Sequence, residues 1–157
     1  AIAYTWVSFQ GSVESLKDFS EVAHFTHYTV AHAHLGAYGF VSMIYFGLYY
    51  YMIPRLTGRE WASSRLIRVH FWCAAVGITI YFVGLSIGGW WQGRMMNNPD
   101  VPWGNIVVYL KPHFLSRTIA GVLMTVGHLA FAALLLMNLA GWGKKRTGGP
   151  TYFVEKQ

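Results

Sequence analysis

The chain has 157 residues, of which 54% are hydrophobic, 17% aromatic and only 11% charged. This composition is typical of a membrane protein and argues against an ordinary soluble domain. The net charge of +6 could indicate nucleic-acid binding, but the basic residues gather at the ends of apolar runs, as membrane topology requires. We therefore expect a lipid bilayer and no nucleic acid as a partner. The single cysteine, Cys73, excludes a disulfide framework and a cysteine-rich zinc site.

Three apolar segments are long enough to cross a bilayer, which takes about 20 helical residues for ~30 Å of hydrocarbon. They cover residues 28–53, 69–91 and 114–139. Residues 1–9 resemble the end of an earlier helix, and residues 10–23 form a short polar segment. We predict an all-α, polytopic transmembrane helical bundle with three full spans. Residues 1–157 are then a single membrane-domain fragment of a longer or split subunit.

The distribution of Lys and Arg predicts the orientation of this bundle. Residues 54–68 and the tail 143–157 together carry eight Lys and Arg residues, against four in residues 10–26 and 92–117. By the positive-inside rule, the first pair of segments faces the cytoplasm. The histidine-rich entrance to the first span then faces the outside.

The most informative stretch is "HFTHYTVAHAHLGAYG", residues 24–39, in which His32 and His34 lie inside the first apolar span. Histidine is costly within a bilayer and is usually functional there. Two helical positions are separated by about 200°, so His32 and His34 point to opposite sides and do not easily share one metal. They can instead bind two separate centres. Heme iron, which takes a neutral imidazole as axial ligand, suits a dry membrane interior.

Two sets of glycines accompany these segments. Gly77, Gly84 and Gly88 fall close to one face of the second span and predict tight packing against another helix. Gly36 and Gly39 follow His34, where small residues would let flat macrocycles approach the backbone.

The stretch H-x-T-x-Y-x-V-A-H-x-H, residues 24–34, resembles the tenth helix of the catalytic subunit of the heme–copper oxidases. Three further stretches resemble the cbb3-type branch of this family. "GLYYYMIPRLTGREW" with "RVHFWCAAVGITIYFVGLSIGGWWQGRMM" is similar to helices ten and eleven, and "FLSRTIAGVLMTVGHLAFAALLLMNL" to the last of twelve helices. The stretch "TVAHAHLGAYG" also resembles the large subunit of nitric oxide reductase, a close relative.

The resemblance implies a role for three histidines. His32 would be the axial ligand of a high-spin heme and His34 an axial ligand of a low-spin heme, both of b type. His24 occupies the position of a polar cluster near the heme propionates. The family's copper ligands and its second low-spin ligand lie on earlier helices, and residues 1–157 do not supply them. The chain therefore looks like the C-terminal quarter or third of a catalytic subunit.

The activity implied is that of a cytochrome-c oxidase of the respiratory chain. Electrons from cytochrome c, or from c-type cytochrome subunits, would reduce oxygen to water at the high-spin heme and a copper ion, coupled to proton translocation. The implied location is the bacterial inner membrane. The remainder of the catalytic subunit is a necessary partner.

Three alternatives stay open. In a nitric oxide reductase, non-heme iron replaces copper and two NO become N2O. A diheme b-type membrane anchor would only relay electrons, and a structural or transport membrane protein would hold no heme. The remaining intramembrane and interfacial histidines, His27, His70, His113 and His128, have no assigned role, and hydrogen bonding or packing is expected for His128.

Overall fold

The computed structural model describes residues 2–147, and within them the chain is helical without β-strands. The helices are α1 (Ile2–Glu14), α2 (Lys17–Ala23), α3 (His27–His34), a π-helical segment (Leu35–Ser42), α4 (Met43–Thr57), α5 (Ser64–Met96) and α6 (Trp103–Leu139). This confirms the predicted helical class. Most of the basic tail, residues 148–157, lies outside the described residues.

One continuous helical run, from His27 to Thr57, consists of α3, the π-helical segment and α4. Thr26 caps its start, because its Oγ1 accepts a hydrogen bond from the backbone N–H of Tyr28 at 3.2 Å. Gly58 ends it with φ of 65°, a left-handed conformation that glycine adopts without a steric penalty. The run covers the first predicted span, but its middle is wider than an α-helix.

Helices α5 and α6 form the main contact of the fold. A Cβ atom added at Gly77, Gly84 or Gly88 would collide with Met124, Ser116 or His113 of α6, respectively. The predicted packing role of these three glycines is confirmed. Their missing side chains let the two helix backbones approach closely, as small residues do in membrane helix pairs.

The buried core lies where α3 and the π-helical segment pack against α5, which in turn packs on α6. Its members are mostly small or aliphatic: Ala31, Leu35, Ile78, Tyr81, Leu85 and Ala120. Many apolar side chains on the outer faces of α5 and α6 remain exposed, among them Trp72, Val122 and Leu129. An exposed apolar surface of this extent suits lipid or neighbouring protein.

The two basic segments meet at one end of the molecule. The guanidinium of Arg59 donates hydrogen bonds to the carbonyls of Gly141 (2.7 Å) and Gly143 (3.1 Å). Beside it, Arg146 lies 3.6 Å from the carboxylate of Glu60. The connection between α4 and α5 therefore shares one face of the fold with the chain that follows α6. This arrangement agrees with the placement of both segments on one side of a membrane.

Among the described residues, α5 and α6 are long and apolar enough to cross a bilayer by length and composition. Both are longer than the apolar segments predicted at residues 69–91 and 114–139, because the helices continue beyond the hydrocarbon-length run. The third full span, through α3, the π-helical segment and α4, remains a prediction.

Candidate functional site

The entrance to the site is the tight connection between α2 and α3. His24 is exposed there, and its backbone N–H caps the end of α2 by donating to the carbonyl of Ser20. The next residue, Phe25, has φ of 59°, a left-handed conformation that is uncommon for a bulky side chain. The ring of His24 lies 4.0 Å from that of Phe25. His24 is thus a solvent-facing residue about two helical turns before His32.

His32 is half-buried and faces α1. Its Nδ1 lies 3.4 Å from Oε1 of Gln10, a residue only 5% exposed. Since an amide oxygen only accepts, the Nδ1–H of His32 is the donor. A Cβ at Gly11 would come within 3.1 Å of Cε1 of His32, so the absent side chain makes room for the ring.

A carboxyl group lies near this imidazole. Burial raises the pKa of the Glu14 carboxyl, and the electrostatic attraction of His32 partly opposes that rise. Oε1 of Glu14 is buried and has no hydrogen-bond partner within residues 2–147. Helix α1 therefore places the amide of Gln10, the space beside Gly11 and the carboxyl group of Glu14 near His32.

His34 faces the opposite side and is exposed. Its Nδ1 donates to the carbonyl of Val30 at 2.8 Å, one turn earlier in the same helix. The ring stacks on that of Tyr81 in α5, with centroids 4.7 Å apart and planes inclined by 29°. The imidazole is thus held by a backbone hydrogen bond on one edge and an aromatic face on another.

The two imidazoles share the hydrogen-bond arrangement expected of an axial ligand. In each, Nδ1–H is directed to an oxygen, which leaves the lone pair on Nε2 for a metal. Their rings contact different helices, α1 for His32 and α5 for His34. The predicted divergence of the pair is therefore present. Neutral imidazole is a donor that heme iron accepts, and the Cε1–Nε2 edge of His32 lies against Gly11 of α1.

The expectation that Gly36 and Gly39 leave open surface for macrocycles stays a prediction, since each glycine already has a protein side chain on its Cβ side. A Cβ at Gly36 would lie 3.5 Å from Val7, and one at Gly39 would lie 2.9 Å from Leu35. These glycines pack against α1 and the preceding turn. They allow close helix contact at the level of the π-helical segment.

Two histidines near the entrance have structural partners. Oε1 of Gln92 accepts hydrogen bonds from both the backbone N–H (3.0 Å) and the ring Nδ1 (2.6 Å) of His27. His113 in α6 donates from Nδ1 to the carbonyl of Gly84 at 2.9 Å. Both rings link helices, so we assign neither to a cofactor.

The other two unassigned histidines belong to a polar cluster deeper in the fold. The hydroxyl of Tyr50 lies 2.6 Å from Nδ1 of His70, and the hydroxyl of Tyr38 lies 2.8 Å from Nε2 of His128. The ring centroids of His70 and His128 are 5.9 Å apart. The hydrogen bonding expected for His128 is confirmed. This set is called the Tyr–His cluster below.

Comparisons with known proteins identify the family of this chain. The family model described as cytochrome c and quinol oxidase polypeptide I matches residues 1–123. The chain belongs to this family. It is 33% identical over 144 residues to cytochrome c oxidase subunit 1 of Rhodobacter capsulatus, covering 87% of the chain and 27% of the relative. Identity is 30% over 157 residues to a cbb3-type cytochrome c oxidase subunit, CcoN1, of Stutzerimonas stutzeri, covering 96% of the chain and 32% of the relative.

A more distant match points to the related enzyme class. The chain is 26% identical over 129 residues to a nitric oxide reductase subunit of Stutzerimonas stutzeri, covering 77% of the chain and 27% of the relative. The chain spans about a quarter to a third of the length of the curated relatives it matches. It is thus a heme–copper oxidase subunit I sequence of membrane helices, from an oxidoreductase family whose members work within larger complexes.

Proposed function

We propose that this chain supplies the heme-ligating helix of a terminal respiratory oxidase. His34 is an axial ligand of a low-spin b-type heme and His32 of a high-spin b-type heme. His24, exposed at the entrance to α3, contacts the propionate region. The activity is that of a cytochrome-c oxidase that reduces oxygen to water and couples this reaction to proton translocation.

The observation that carries the proposal is the paired orientation of the two imidazoles. Both present Nε2 after Nδ1–H has been satisfied, on opposite faces of one eight-residue helix. Hydrogen bonding at the second nitrogen fixes the tautomer and strengthens the ligand. A helix also holds two ligands more rigidly than a loop can. Family membership over residues 1–123 supports the same assignment.

The side chains of this chain bind the two hemes and orient their histidine ligands. Hemes supply the redox chemistry when bound. Gln10 orients His32 from α1, while Val30 and Tyr81 orient His34. The rigid i, i+2 spacing keeps the two iron ligands a few ångströms apart along the helix, which shortens electron transfer between the two faces.

The remaining parts of the enzyme come from outside this chain. We infer that the copper ion and the second low-spin ligand are held by the rest of a twelve-helix catalytic subunit. The run from His27 to Thr57 then completes a third span beside α5 and α6. Electrons come from cytochrome c or c-type cytochrome subunits. The complex lies in the bacterial inner membrane with its basic end in the cytoplasm.

The test is a reduced-minus-oxidised spectrum, a CO-difference spectrum and metal analysis of the intact complex. We expect one low-spin heme, one CO-binding high-spin heme and copper. His32→Ala should remove the CO-binding signal, and His34→Ala should remove the low-spin signal. His27→Ala is the matched control, because His27 lies on the same helix and its ring bonds Gln92 instead.

Each result has a clear reading. Retention of both heme signals in both ligand variants would refute the assignment. A complex without a CO-binding heme would instead favour the diheme electron-transfer anchor. Loss of both signals in His27→Ala would show that the readout follows general damage to α3.

Nitric oxide reductase is the second candidate, favoured by the 26% identity to such a protein. It shares the helix and the heme ligands. Its distinguishing group is non-heme iron in place of copper. Copper in the purified complex, together with oxygen consumption, supports the oxidase. Additional iron with N2O formation from NO supports the reductase.

A further inference from the structure

Two arginines near the start of α5 are left without a partner. Arg65 and Arg68 make no hydrogen bond, ion pair or ring contact within residues 2–147. Each of the other arginines donates to a carbonyl, pairs with Glu60 or lies over an aromatic ring. Both side chains are exposed, and residues three apart on a helix lie next to each other. The two guanidinium groups are therefore available to an anion from outside the chain.

No acidic side chain balances this pair. Helix α5 has no acidic residue in its first turn, although the N-terminus of a helix is positive and favours one. The single acid in residues 54–68 and 141–147 is Glu60, whose carboxylate lies 3.6 Å from Arg146. Arg65 thus adds positive charge to a helix end that is already positive. A bound anion would relieve this repulsion.

An open groove runs from these arginines along the outer face of α5. It has a volume of about 520 Å³. Its lining residues are Arg65, Arg68, Val69, Trp72 and Cys73. The opposite face of α5 is buried, since His70 of the Tyr–His cluster is 1% exposed. The groove therefore opens away from the rest of the described fold.

The outer face of α5 changes in character along the helix axis. At 100° per residue, Arg65, Arg68, Val69, Trp72 and Val76 fall within about 100° of the helix circumference. Trp72 lies ~6 Å and Val76 ~12 Å further along the helix than Arg68, at 1.5 Å per residue. One leaflet is half of a ~30 Å hydrocarbon core. The stripe thus passes from cationic through amphipathic to apolar over most of one leaflet.

Trp72 presents an indole N–H at the level below the arginines. Its side chain is 61% exposed, and the neighbouring Val69 and Val76 are 40% and 41% exposed. The indole N–H has no acceptor within residues 2–147, whereas that of Trp61 donates to the carbonyl of Tyr50 at 3.0 Å. An apolar ring with an available N–H suits the boundary between lipid headgroups and acyl chains. There it can donate to an ester carbonyl.

We propose that this groove binds one anionic phospholipid from the leaflet at the basic end. Arg65 and Arg68 hold the headgroup phosphate, to which a guanidinium group can donate two parallel hydrogen bonds. Trp72 donates to an ester carbonyl next to the glycerol. One acyl chain lies along Val69 and Val76. The hemes take no part in this site, so it goes beyond the proposed function and does not depend on it.

Charge and depth together favour a lipid over a protein partner. An acidic protein segment would pair with the two arginines but would leave the exposed apolar stripe below them to another occupant. A phospholipid has its phosphate, its ester carbonyls and its acyl chains in the same order as Arg68, Trp72 and Val76 along the helix. One molecule therefore satisfies all three levels.

The competing explanation is that both arginines only fix the topology of α5. The positive-inside rule counts charge, and lysine meets it as well as arginine does. It also requires no indole N–H one turn below. A phosphate site distinguishes the two side chains, because lysine is a point charge without the planar fork of donors.

The experiment titrates the intact, delipidated complex in detergent with phosphatidylglycerol, while native mass spectrometry counts the bound lipids. Phosphatidylcholine is the neutral probe. We expect a tight site that phosphatidylcholine does not fill. Arg65→Gln combined with Arg68→Gln should weaken it about 20- to 30-fold, since each basic residue near the surface contributes roughly fivefold.

Two further variants test the geometry of the site. Arg65→Lys combined with Arg68→Lys keeps the charge and should still weaken phosphatidylglycerol binding severalfold. Trp72→Phe keeps an aromatic ring but removes the N–H, and it should weaken binding about two- to tenfold. A phosphatidylglycerol with a photoreactive group in its acyl chain should label residues 69–76 of the native complex.

Lys144→Gln combined with Lys145→Gln is the matched control. Both lysines are exposed at the same end of the molecule, on the segment after α6 and outside the groove. The change removes the same two charges. At about 0.15 M salt, which screens separated surface charges, the site should keep its affinity within about twofold.

Several outcomes would overturn the lipid site. They are equal binding of phosphatidylcholine, native affinity in the glutamine pair, and an equal loss of affinity in the lysine control. Native affinity in both the Arg→Lys pair and Trp72→Phe would leave topology as the role of the arginines. Displacement of the lipid by an equal concentration of inorganic phosphate would assign them to a free anion. A native complex without this phosphatidylglycerol site would favour an acidic protein segment.

The lipid site and the proposed function fail separately. The heme spectra of the native complex test the proposed function, and lipid binding leaves them unchanged. If the glutamine pair does not assemble, the Arg→Lys pair and Trp72→Phe still decide, since each keeps the net charge of the native chain.

Discussion

Nδ1 of His32 lies 3.4 Å from the side-chain oxygen of Gln10, across the interface between α3 and α1. The two residues are 22 positions apart in the chain, and the neighbouring Gly11 packs against the imidazole of His32. An acceptor on Nδ1 makes the opposite nitrogen a better ligand. Gln10 is therefore a positioning residue for the proposed high-spin heme.

Substitutions at Gln10 should separate this role from simple packing. Gln10→Leu removes the acceptor and should lower high-spin heme retention or activity about 10- to 100-fold. Gln10→Glu keeps an oxygen in place and should retain the heme. Its carboxylate makes the imidazole more electron-rich and should lower the heme midpoint potential. Redox titration of the CO-binding heme tests both, and equal potentials in all three proteins would contradict the role.

Gly89 determines how closely α3 can begin against α5. A Cβ there would overlap the backbone of His27 and Tyr28. Gly89→Ala should therefore displace the start of α3, lower stability by about 1–3 kcal/mol and reduce heme content. Thermal inactivation of the complex measures the loss of stability. Gly121→Ala in α6 is the control, because nothing lies within 4 Å of its Cβ position. Equal melting temperatures would argue against the predicted close contact.

Arg59 joins the α4–α5 connection to the chain after α6. One guanidinium nitrogen reaches two carbonyls, those of Gly141 and Gly143. Lysine has a compact ammonium on a shorter side chain and cannot place a donor where this guanidinium nitrogen lies. Arg59→Lys should therefore increase hydrogen exchange in residues 141–147, with a loss of about 1.5–3 kcal/mol per lost charged hydrogen bond. Arg65→Lys, at an exposed position, should leave exchange there unchanged. Identical exchange in the two variants would show that the Arg59 contacts contribute nothing.

Glu14 gives stability a pH dependence with a defined sign. Burial raises the pKa of its carboxyl, so the folded state disfavours the charged form. The penalty is absent below the ordinary pKa of a glutamate, grows as the pH rises from that pKa to the raised one, and is complete above it. Glu14→Gln should therefore raise the melting temperature at about pH 8 and have less effect near pH 5. The control Glu21→Gln changes the same charge on an exposed residue. A larger gain at the lower pH would reverse the sign and refute the argument.

The sequence predicts the local features of the fold well. Apolar length indicates the helices, and the spacing of Gly77, Gly84 and Gly88 indicates their contact, because both follow from helix geometry. The divergence of His32 and His34 has the same origin. The assignment of these histidines to particular hemes stays a prediction that depends on the family resemblance.

The features that sequence reasoning missed are the non-local ones. Gln10 is separated from His32 by 22 positions, and Tyr38 from His128 by 90, so no periodicity links them. An isolated polar residue beside Gly11, at the end of an apolar run, was the one available signal for Gln10. The π-helical segment was also missed, since its sequence "LGAYGFVS" has no distinguishing pattern.

The π-helical segment after His34 has a consequence for how this helix can vary. Each π turn closes five residues apart, one more than an α turn, so the segment acts like an inserted residue within an otherwise regular helix. It fixes the rotation about the helix axis between α3, which contacts α5, and α4, which contacts α6. Deleting one residue here would restore α-helical winding and turn Tyr50 by about 100° relative to His34. The length of this segment thus fixes the relative rotation of α3 and α4. Deletion of a single residue from it should be far less tolerated than a substitution.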